Sequence, residues 1–267
     1  MTSSSFAIRD SATMLRRQLR HMQRYPSMTL MIIAMPVIFL LLFVYVFGGI
    51  MGAGLGGATA GRALYVNFVT PGILLITVGG GATGTAVSVA MDMTEGIVAR
   101  FRTMAISRAS VLTGHVVGSM IQSLLSVTAV IALALLVGFR PTAGPAGWLA
   151  AIGILALFVL GVTWLSVALG LISKSAEGAS NLPMPLLILP FLGSGFVPAG
   201  SMPAGLRWFA EYQPFTPVIN SMRDLLFGIP VGNNAILAIA WGAGITLGSY
   251  LWAVRLFRRA PVRYAGA

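Results

Sequence analysis

Residues 147–172 read GWLAAIGILALFVLGVTWLSVALGLI and contain no Asp, Glu, Lys or Arg. Five further runs share this freedom from charge, namely residues 28–48, 66–90, 112–138, 181–197 and 235–254. A helix needs about 20 mainly apolar residues to cross a bilayer, and one charge at its centre costs roughly 2.5–3.5 kcal/mol. A soluble core has no physical reason to exclude charge from six such stretches. We therefore predict an all-α membrane protein with six transmembrane helices.

The composition bounds the number of domains. Charged residues make up 9% of the 267-residue chain and hydrophobic residues 57%, and the mean hydropathy is +0.90. Since the six runs use most of the length, we expect one transmembrane domain at residues 28–255, preceded by a segment at 1–27 and followed by a basic tail at 256–267. The chain has no Cys and two His, so we expect neither disulfides nor a metal site.

The net charge of +11 comes from 17 Lys and Arg against 6 Asp and Glu. Cytoplasmic flanks of membrane helices are enriched in Lys and Arg. A cytoplasmic N-terminus places most basic residues of the loops and termini inside: Arg9, Arg16, Arg17, Arg20, Arg24, Arg100, Arg102, Arg108, Lys174, Arg255, Arg258, Arg259 and Arg263. We therefore expect a multi-pass protein of the cell (plasma or inner) membrane with both termini in the cytoplasm. Nucleic-acid binding, which this charge would suggest in a soluble protein, is not expected.

The N-terminal segment carries a helical pattern. Ile8, Leu15 and Leu19 share a narrow stripe, and Arg9, Arg16 and Arg20 fall on a neighbouring face. This pattern predicts an amphipathic helix lying in the membrane interface at residues 1–27. A soluble basic tail that only enforces topology is the alternative.

Residues 92–108, on the predicted cytoplasmic side, read DMTEGIVARFRTMAISR. On a helix, Ile97, Phe101 and Met104 share one face, opposite Arg100 and Arg102. An apolar ridge among mixed charges is suited to docking in a groove of a partner protein. The alternative is an ordinary interfacial helix with its ridge in lipid.

Residues 198–228, on the predicted outer side, are too polar and too often interrupted by proline to span a membrane. They are also too apolar for a free loop, because they include Trp208, Phe209 and Phe215. We predict two short amphipathic helices, broken at Pro214 and Pro217, that re-enter the outer leaflet with their aromatic rings at the interface. A passive extracellular cap is the alternative.

The predicted fifth span, 181–197, contains Pro183, Pro185 and Pro190. Proline removes a backbone donor and kinks a helix, so this span is expected to be broken and mobile or to carry a static kink. We expect spans two and five to line a transport path, with lining residues Thr77, Thr85, Phe191, Ser194 and Phe196. Packing within one subunit is the alternative for each. A path without fixed charge suits an amphipathic or apolar cargo.

Two pairs of small residues, Gly80-x-x-x-Gly84 and Gly244-x-x-x-Gly248, lie within predicted spans. Glycines at this spacing permit two helices to approach closely. They are therefore candidates for helix–helix contacts, although the signal is common in glycine-rich membrane proteins.

Together these segments resemble the permease subunits of type-2 ATP-binding-cassette (ABC) exporters, and most of all the drug-resistance permeases of the daunorubicin type. The inner motif of that family begins with an acidic residue and Gly, continues as an Arg-rich helix and ends at Ser-Arg. Glu95-Gly96, Arg100-Phe101-Arg102 and Ser107-Arg108 match it, while Ala105 stands where the family usually has proline.

The outer motif of the family also has its counterparts here. They are Ser194-Gly195 with Pro198, Met202-Pro203, Trp208, Pro214, Arg223 and Gly228. Gln213 stands where the family has Asn. The order and the membrane side of these elements carry the resemblance, because no single one is specific.

The resemblance implies a permease that works with two cytoplasmic ABC ATPase subunits and with a second permease subunit, either identical or paralogous, in membrane lipid. It implies contacts to the ATPase through Asp92, Glu95, Gly96, Ile97, Arg100, Phe101, Arg102, Met104 and Arg108. It also implies an outer re-entrant gate that includes Pro198, Pro203, Trp208, Phe209, Pro214, Arg223 and Gly228. Cargo, a drug or a lipid, would be exported.

No enzymatic activity is expected of the chain itself. Its one lysine, Lys174, lies in GLISKS, which lacks the Gly-Lys-Ser/Thr end of a phosphate-binding loop. ATP and Mg are therefore expected in the partner ATPase, and no cofactor is expected in this chain. The alternatives are an ion-coupled secondary transporter, for which His115 is the one candidate near a span, and an integral-membrane lipid-modifying enzyme, for which the residues offer few constellations.

Overall fold

The computed structural model describes residues 26–56, 61–94 and 108–259 of the chain. Every regular element in these ranges is helical. Residues 1–25 of the predicted interfacial helix at 1–27 and most of the segment at 92–108 lie outside the described residues.

Five helical stretches are long and apolar enough to cross a bilayer: Ile33–Leu55, Gly61–Thr94, Leu112–Val137, Pro145–Ile172 and Gly232–Phe257. The first combines α1 (Pro26–Leu41), a π-helical segment (Leu42–Phe47) and α2 (Gly48–Gly56). The others belong to α3 (Gly61–Thr94), α4 (Arg108–Val137), α5 (Pro145–Ile172) and α10 (Gly232–Arg259). The protein is therefore a multi-pass membrane protein, as its charge-free runs predict.

The predicted fifth span does not form a spanning helix. Residues 181–197, which we call the broken segment, contain the end of α6 (Ala176–Asn181), the single helical turn α7 (Met184–Ile188) and a series of turns. Pro183, Pro185 and Pro190 interrupt the backbone hydrogen bonding that a continuous helix requires. The described residues thus contain five candidate spanning helices instead of the predicted six, and the break that the prolines suggested is present.

Helix α3 lies at the centre of the bundle, and 72% of its most apolar 18-residue stretch is buried inside the protein. Glycines let its neighbours approach closely. A Cβ added to Gly72 would lie 2.6 Å from the carbonyl oxygen of Gly195, and one added to Gly79 would lie 2.9 Å from that of Leu186. At the other end of α3, a Cβ on Gly170 of α5 would lie 2.6 Å from the carbonyl oxygen of Ala86. The backbones of α3, α5 and the broken segment are therefore in direct contact.

Three of the four glycines in the predicted pairs make no such contact. A Cβ on Gly80, Gly244 or Gly248 would meet no atom within 4 Å. The close crossing of α10 is instead made through Gly242, which packs against Leu157 of α5. Helical spacing alone does not say which glycines face a neighbour, because that depends on how each helix is rotated in the bundle.

The bundle has two ends that differ in what covers them. At one end, α3 begins and α4 finishes, and two short helices cover the bundle, namely α8 (Ala204–Tyr212) and α9 (Phe215–Leu226). We call this the cap end. At the other end, the base, α3 finishes at Thr94 and α4 begins at Arg108.

Candidate functional site at the cap end

Two short helices form where the sequence predicts them, in residues 198–228. A 3-10 turn at Ala199–Ser201 leads into α8, and the chain breaks again at Gln213-Pro214 before α9. The predicted break at Pro217 is wrong. Pro217 lies in the first turn of α9, where its missing N–H would have had no partner in the helix.

The two helices differ in burial. Phe215, Val218 and Ile219 of α9 are fully buried, and the Phe215 ring packs edge-on against Phe158 of α5 with centroids 4.9 Å apart. By contrast, α8 exposes Trp208 (67%) and Tyr212 (57%). Re-entry of this pair into the membrane is not confirmed: α9 packs into the protein core, and only α8 carries an exposed apolar surface suited to an interface.

Polar side chains recur along one face of α9. Gln213, Thr216, Asn220 and Arg223 are spaced by three, four and three residues, which is the repeat of one helix face. Gln213 is the first of them: its side-chain oxygen accepts from the Phe215 N–H at 3.1 Å, and its amide donates to the Leu189 carbonyl at 3.2 Å. Gln213 therefore caps the start of α9 and ties it to the broken segment.

Ser194 of the broken segment meets this face. Its hydroxyl donates to the Asn220 side-chain oxygen at 2.7 Å, and its backbone N–H donates to the Thr216 hydroxyl at 3.3 Å. The approach to α9 requires glycine before Ser194, because a Cβ added to Gly193 would clash with the Gln213 amide and the Thr216 hydroxyl. Gly195, on the other side of Ser194, lies close to the Pro190 carbonyl and to Gly72 of α3, so the two glycines let the broken segment fit between α9 and α3.

Arg223 joins three parts of the cap end. Its guanidinium donates to the carbonyl oxygens of Phe68 at 3.0 Å and Ser194 at 2.8 Å, and to the Asn220 side-chain oxygen at 3.0 Å. It also lies over the Phe68 ring, 3.8 Å from the centroid. We call Phe68, Ser194, Gln213, Thr216, Asn220 and Arg223 the Arg223 network.

Burial shifts the pKa of Arg223 and that of its neighbour Asp224 in opposite directions. It lowers the pKa of Arg223 to about 10, against the opposing effect of Asp224, so the side chain is a cation at neutral pH. Burial also raises the pKa of Asp224, while a hydrogen bond from Asn234 and the charge of Arg223 act in the opposite direction. A partly buried cation that donates to three acceptors in fixed positions makes a strong, geometrically specific link between helices.

The other predicted gate residues lie at helix boundaries. Pro198 precedes the 3-10 turn and Pro203 precedes α8, while Pro214 lies at the start of α9. Gly228 adopts φ +67° just after α9, and the Ile229 N–H donates to the Asp224 carbonyl at 2.8 Å. Glycine is favoured there because a Cβ is strained in that conformation. Phe209 is a partly exposed residue of α8.

Ser194 belongs to the Arg223 network, and the other four predicted path residues fall into two groups. Thr77 and Thr85 are buried on α3, and each hydroxyl donates to a carbonyl four residues earlier in its own helix. Phe191 and Phe196 stack in parallel with centroids 4.4 Å apart, and Phe43 of the π-helical segment lies 4.4 Å from Phe196. An aromatic cluster therefore joins the first span to the broken segment. A role in transport for any of these residues stays a prediction.

At the base, one predicted coupling residue is described with its side chain. Asp92, in the last turn of α3, is 8% exposed and its carboxylate contacts the imidazole of His115 of α4, with Oδ2 and Nε2 3.0 Å apart. Arg108 begins α4. The remaining predicted coupling residues lie outside the described residues: Glu95, Gly96, Ile97, Arg100, Phe101, Arg102 and Met104.

Sequence reasoning found Ser194 and Arg223 but not the residues between them. Thr216, Asn220 and the Phe68 carbonyl are absent from the predicted site. The spacing of residues 213, 216, 220 and 223 could have predicted the polar face of α9. A backbone acceptor such as the Phe68 carbonyl cannot be predicted in this way, because every residue type carries one. Among the described residues, no group of His, Cys, Asp and Glu could hold a metal ion.

The chain matches the ABC-2 type transporter family over residues 10–227. It is 27% identical over 253 residues to the daunorubicin resistance ABC transporter permease protein DrrB1 of Streptomyces coeruleorubidus, covering 94% of this chain and 87% of that protein. It is 24% identical over 213 residues to the "Probable doxorubicin resistance ABC transporter permease protein DrrC" of Mycobacterium tuberculosis, covering 80% of this chain and 75% of that protein. Because the family match takes in four of the candidate spanning helices, the broken segment and α9, this protein belongs to the ABC-2 type transporter family.

Proposed function

We propose that this protein is the membrane-spanning permease subunit of an ATP-driven ABC exporter. The observation that carries the proposal is the family match over residues 10–227. In this proposal two ATPase subunits bind at the base, and a second permease subunit, identical or paralogous, completes the membrane part. ATP and Mg bind to the ATPases, and this chain converts their movement into a change at the cap end.

The cargo is proposed to be amphipathic or lipophilic, a drug or a lipid. The names of two relatives refer to resistance to daunorubicin and to doxorubicin. The aromatic cluster of Phe39, Phe43, Phe191 and Phe196 supports the same class, because it offers apolar surface without fixed charge between the first span and the broken segment. Phe191 is 36% exposed, so part of that surface is accessible.

The cap end is proposed to face outward and the base to face the cytoplasm, with both termini cytoplasmic. This orientation follows from the excess of Lys and Arg in the segments assigned to the inner side. The natural absence of cysteine makes it testable. Ser201→Cys at the cap end and Lys174→Cys at the base place single thiols at exposed positions. In intact cells a membrane-impermeant maleimide should label the first and spare the second, and the reverse pattern contradicts the orientation.

The Arg223 network is the part of the cap end that we propose to act as the outer gate. It links α3, the broken segment and α9 through directional bonds. Outward release of cargo requires these elements to separate. Because a few strong hydrogen bonds hold them together, the elements have two discrete arrangements, one with the bonds formed and one with the bonds broken. Movement at the base would reach this network through α3, which runs through the bundle.

The experiment that tests the function is purification in mild detergent from the native membrane, followed by reconstitution of the intact complex. We expect an ATPase with a phosphate-binding loop to co-purify in stoichiometric amount. We also expect ATP-dependent uptake of daunorubicin, used as the probe cargo, into inside-out vesicles. Uptake driven by a proton or sodium gradient without ATP contradicts the proposal and supports a secondary transporter. Modification of lipid by the purified chain supports an enzyme instead.

A further inference from the structure

The end of α3 and the start of α4 are joined by a buried contact between ionisable side chains. Asp92 is 8% exposed and His115 is 9% exposed, and the Asp92 Oδ2 and His115 Nε2 atoms lie 3.0 Å apart. Taking ionisable groups out of water is unfavourable unless their mutual geometry is good. A buried pair is therefore an unusual way to pack two helix ends that small apolar residues could pack equally well.

The position of the pair is specific. Asp92 lies in the last turn of α3 and His115 lies in the first third of α4. Residues 95–107 connect these two helices, and they hold most of the side chains that the family resemblance assigns to ATPase contacts. Any displacement of that segment must pull or push on the helix ends to which it is covalently attached. The Asp92–His115 contact joins those two helix ends to each other.

The apolar surroundings hold the pair in place. Val89, Leu112 and Val116 form a buried cluster with residues of α5 and α10 at the base. Asp92 and His115 emerge from the same two helix surfaces as this cluster. Within it, the Nδ1 atom of His115 has no hydrogen-bond partner among the described residues. The imidazole is thus oriented by its Nε2 contact with Asp92 and by packing.

Helix α3 connects this contact to the cap end. Phe68, whose carbonyl oxygen accepts from Arg223, and Asp92 are on the same helix, about 36 Å apart at about 1.5 Å per residue. The helix between them is mostly buried, and its neighbours touch its backbone at Gly72 and Gly79. Close-packed elements transmit strain, so we expect a shift at Asp92 to reach Phe68 along this helix.

We propose that His115, through its contact with Asp92, is a positioning residue that makes α3 and α4 respond together when the ATPase moves residues 95–107. This inference rests on the proposed function, and it assigns to Asp92 a role different from the expected one. Asp92 does not dock the partner through an exposed carboxylate; it locks the two helices that carry the docking segment. Loss of the contact leaves ATPase binding intact but lets one helix move without the other.

The test uses the purified complex with its ATPase in vesicles, with daunorubicin as the probe. Asp92→Asn and His115→Leu each remove the carboxylate–imidazole contact, and the double variant D92H/H115D restores it in reversed order. Ser126→Ala is the matched control, because Ser126 is a buried polar residue of the same helix whose hydroxyl has no partner among the described residues. Basal ATP hydrolysis, daunorubicin uptake and ATPase retention on a permease affinity column are measured for each.

We expect the single variants to retain the ATPase and its basal hydrolysis but to lower uptake per ATP hydrolysed by about five-fold or more, the lower end of typical coupling between sites. The reversed pair should recover most of the loss, and Ser126→Ala should match the unmodified protein. A merely structural pair would lower protein yield and ATPase retention together, without changing uptake per ATP.

Two results overturn the proposal: unchanged uptake per ATP in both single variants, or a reversed pair that is no better than they are. If the single variants fail to accumulate, the reversed pair alone decides. If the double variant D92H/H115D keeps its uptake per ATP, the proposal is supported, and if that ratio is lost, the proposal is overturned. Failure of the proposed function itself is distinct, because then the unmodified protein retains no ATPase and shows no ATP-dependent uptake.

Discussion

Arg223 and Phe68 are 155 positions apart in the chain, yet the guanidinium of Arg223 both donates to the Phe68 carbonyl oxygen and lies over the Phe68 ring. The same guanidinium reaches the Ser194 carbonyl. One side chain therefore joins α9 to the central helix and to the broken segment. The planar, five-donor geometry of arginine makes this possible, and lysine cannot reproduce it.

We expect Arg223→Gln to lower the free energy of unfolding by roughly 2–3 kcal/mol, because buried acceptors lose a charged donor. Arg223→Lys should be intermediate, since a point charge cannot bridge both carbonyl oxygens while lying over the ring. Daunorubicin export should fall in both. Thermal unfolding in detergent and vesicle transport measure these effects.

Arg207→Gln is the control for that substitution. Arg207 is exposed on α8 and pairs with Glu211 one turn further along the same helix. Its loss should change neither the unfolding temperature nor export appreciably, because exposed pairs contribute little. Equal effects of the two substitutions would show that general charge at the cap end matters, and not the Arg223 network.

Gly72→Ala should separate α3 from the broken segment. The new Cβ would lie 2.6 Å from the Gly195 carbonyl oxygen and 2.7 Å from the Gly195 Cα atom, so backbone must move. Overpacking of this kind typically costs about 1–3 kcal/mol. Gly80→Ala on the same helix meets no atom within 4 Å, and it should be neutral or stabilising by up to about 1 kcal/mol through helix propensity. Thermal unfolding checks the packing of α3: the unfolding temperature should fall for Gly72→Ala and stay unchanged or rise for Gly80→Ala.

Gln213→Leu should destabilise the start of α9, because it removes the acceptor for the Phe215 N–H and the donor to the Leu189 carbonyl. Loss of a cap costs about 1 kcal/mol, and the unpaired buried carbonyl adds to it. Gln213→Asn retains an amide and should keep more of both stability and export. The ranking of unfolding temperatures, with Asn above Leu, is the check, and the reverse ranking would contradict the capping role.

Gly228→Ala should cost about 1–2 kcal/mol, because Gly228 has φ +67° and a Cβ is strained there. Gly228→Asn is the matched variant, since Asn tolerates this conformation better. Gly228→Leu should add the same strain and impair export. ATPase retention on an affinity column should be unchanged in all three, because the site lies at the cap end. Loss of retention would place the ATPase contact elsewhere than we propose.

Glu95→Ala and Arg102→Glu should weaken coupling to the ATPase while membrane insertion stays intact. The expectation rests on the resemblance of Glu95-Gly96 and Arg100-Phe101-Arg102 to the inner motif of the family. The measurement is cargo-stimulated ATP hydrolysis by the reconstituted complex. Stimulation that persists in both variants would remove these residues from the coupling interface.

Much of the architecture was predictable because membrane insertion depends on properties of contiguous residues. An unpaired charge in the apolar part of a bilayer costs free energy in any fold, so charge-free runs indicate spanning helices directly. Five of the six predicted runs lie within or overlap candidate spanning helices. The sixth was predicted as broken or kinked from Pro183, Pro185 and Pro190, and it is broken, since the effect of proline on a helix is also local.

The contacts of the site were not predictable in the same way. Proline and aromatic residues in 198–228 indicated two short helices, but not that α9 is buried against Phe158 while α8 remains exposed. Gly244 and Gly248 have the spacing of a helix contact, yet neither meets a neighbour, whereas Gly72 and Gly195 are in close contact. The rotation of each helix decides such pairings, and that rotation results from packing all helices at once.

The amino-acid sequence determined where the chain can cross a membrane, where its helices break and which family it belongs to, because hydropathy, proline geometry and motif order are properties of neighbouring residues. Only the tertiary structure decided that Arg223 meets the backbone of Phe68 and Ser194, and that Asp92 meets His115. Those partners are distant in sequence, and two of the acceptors are backbone carbonyls that every residue type carries. Which residues become partners is decided only when the helices pack together with a particular rotation and height.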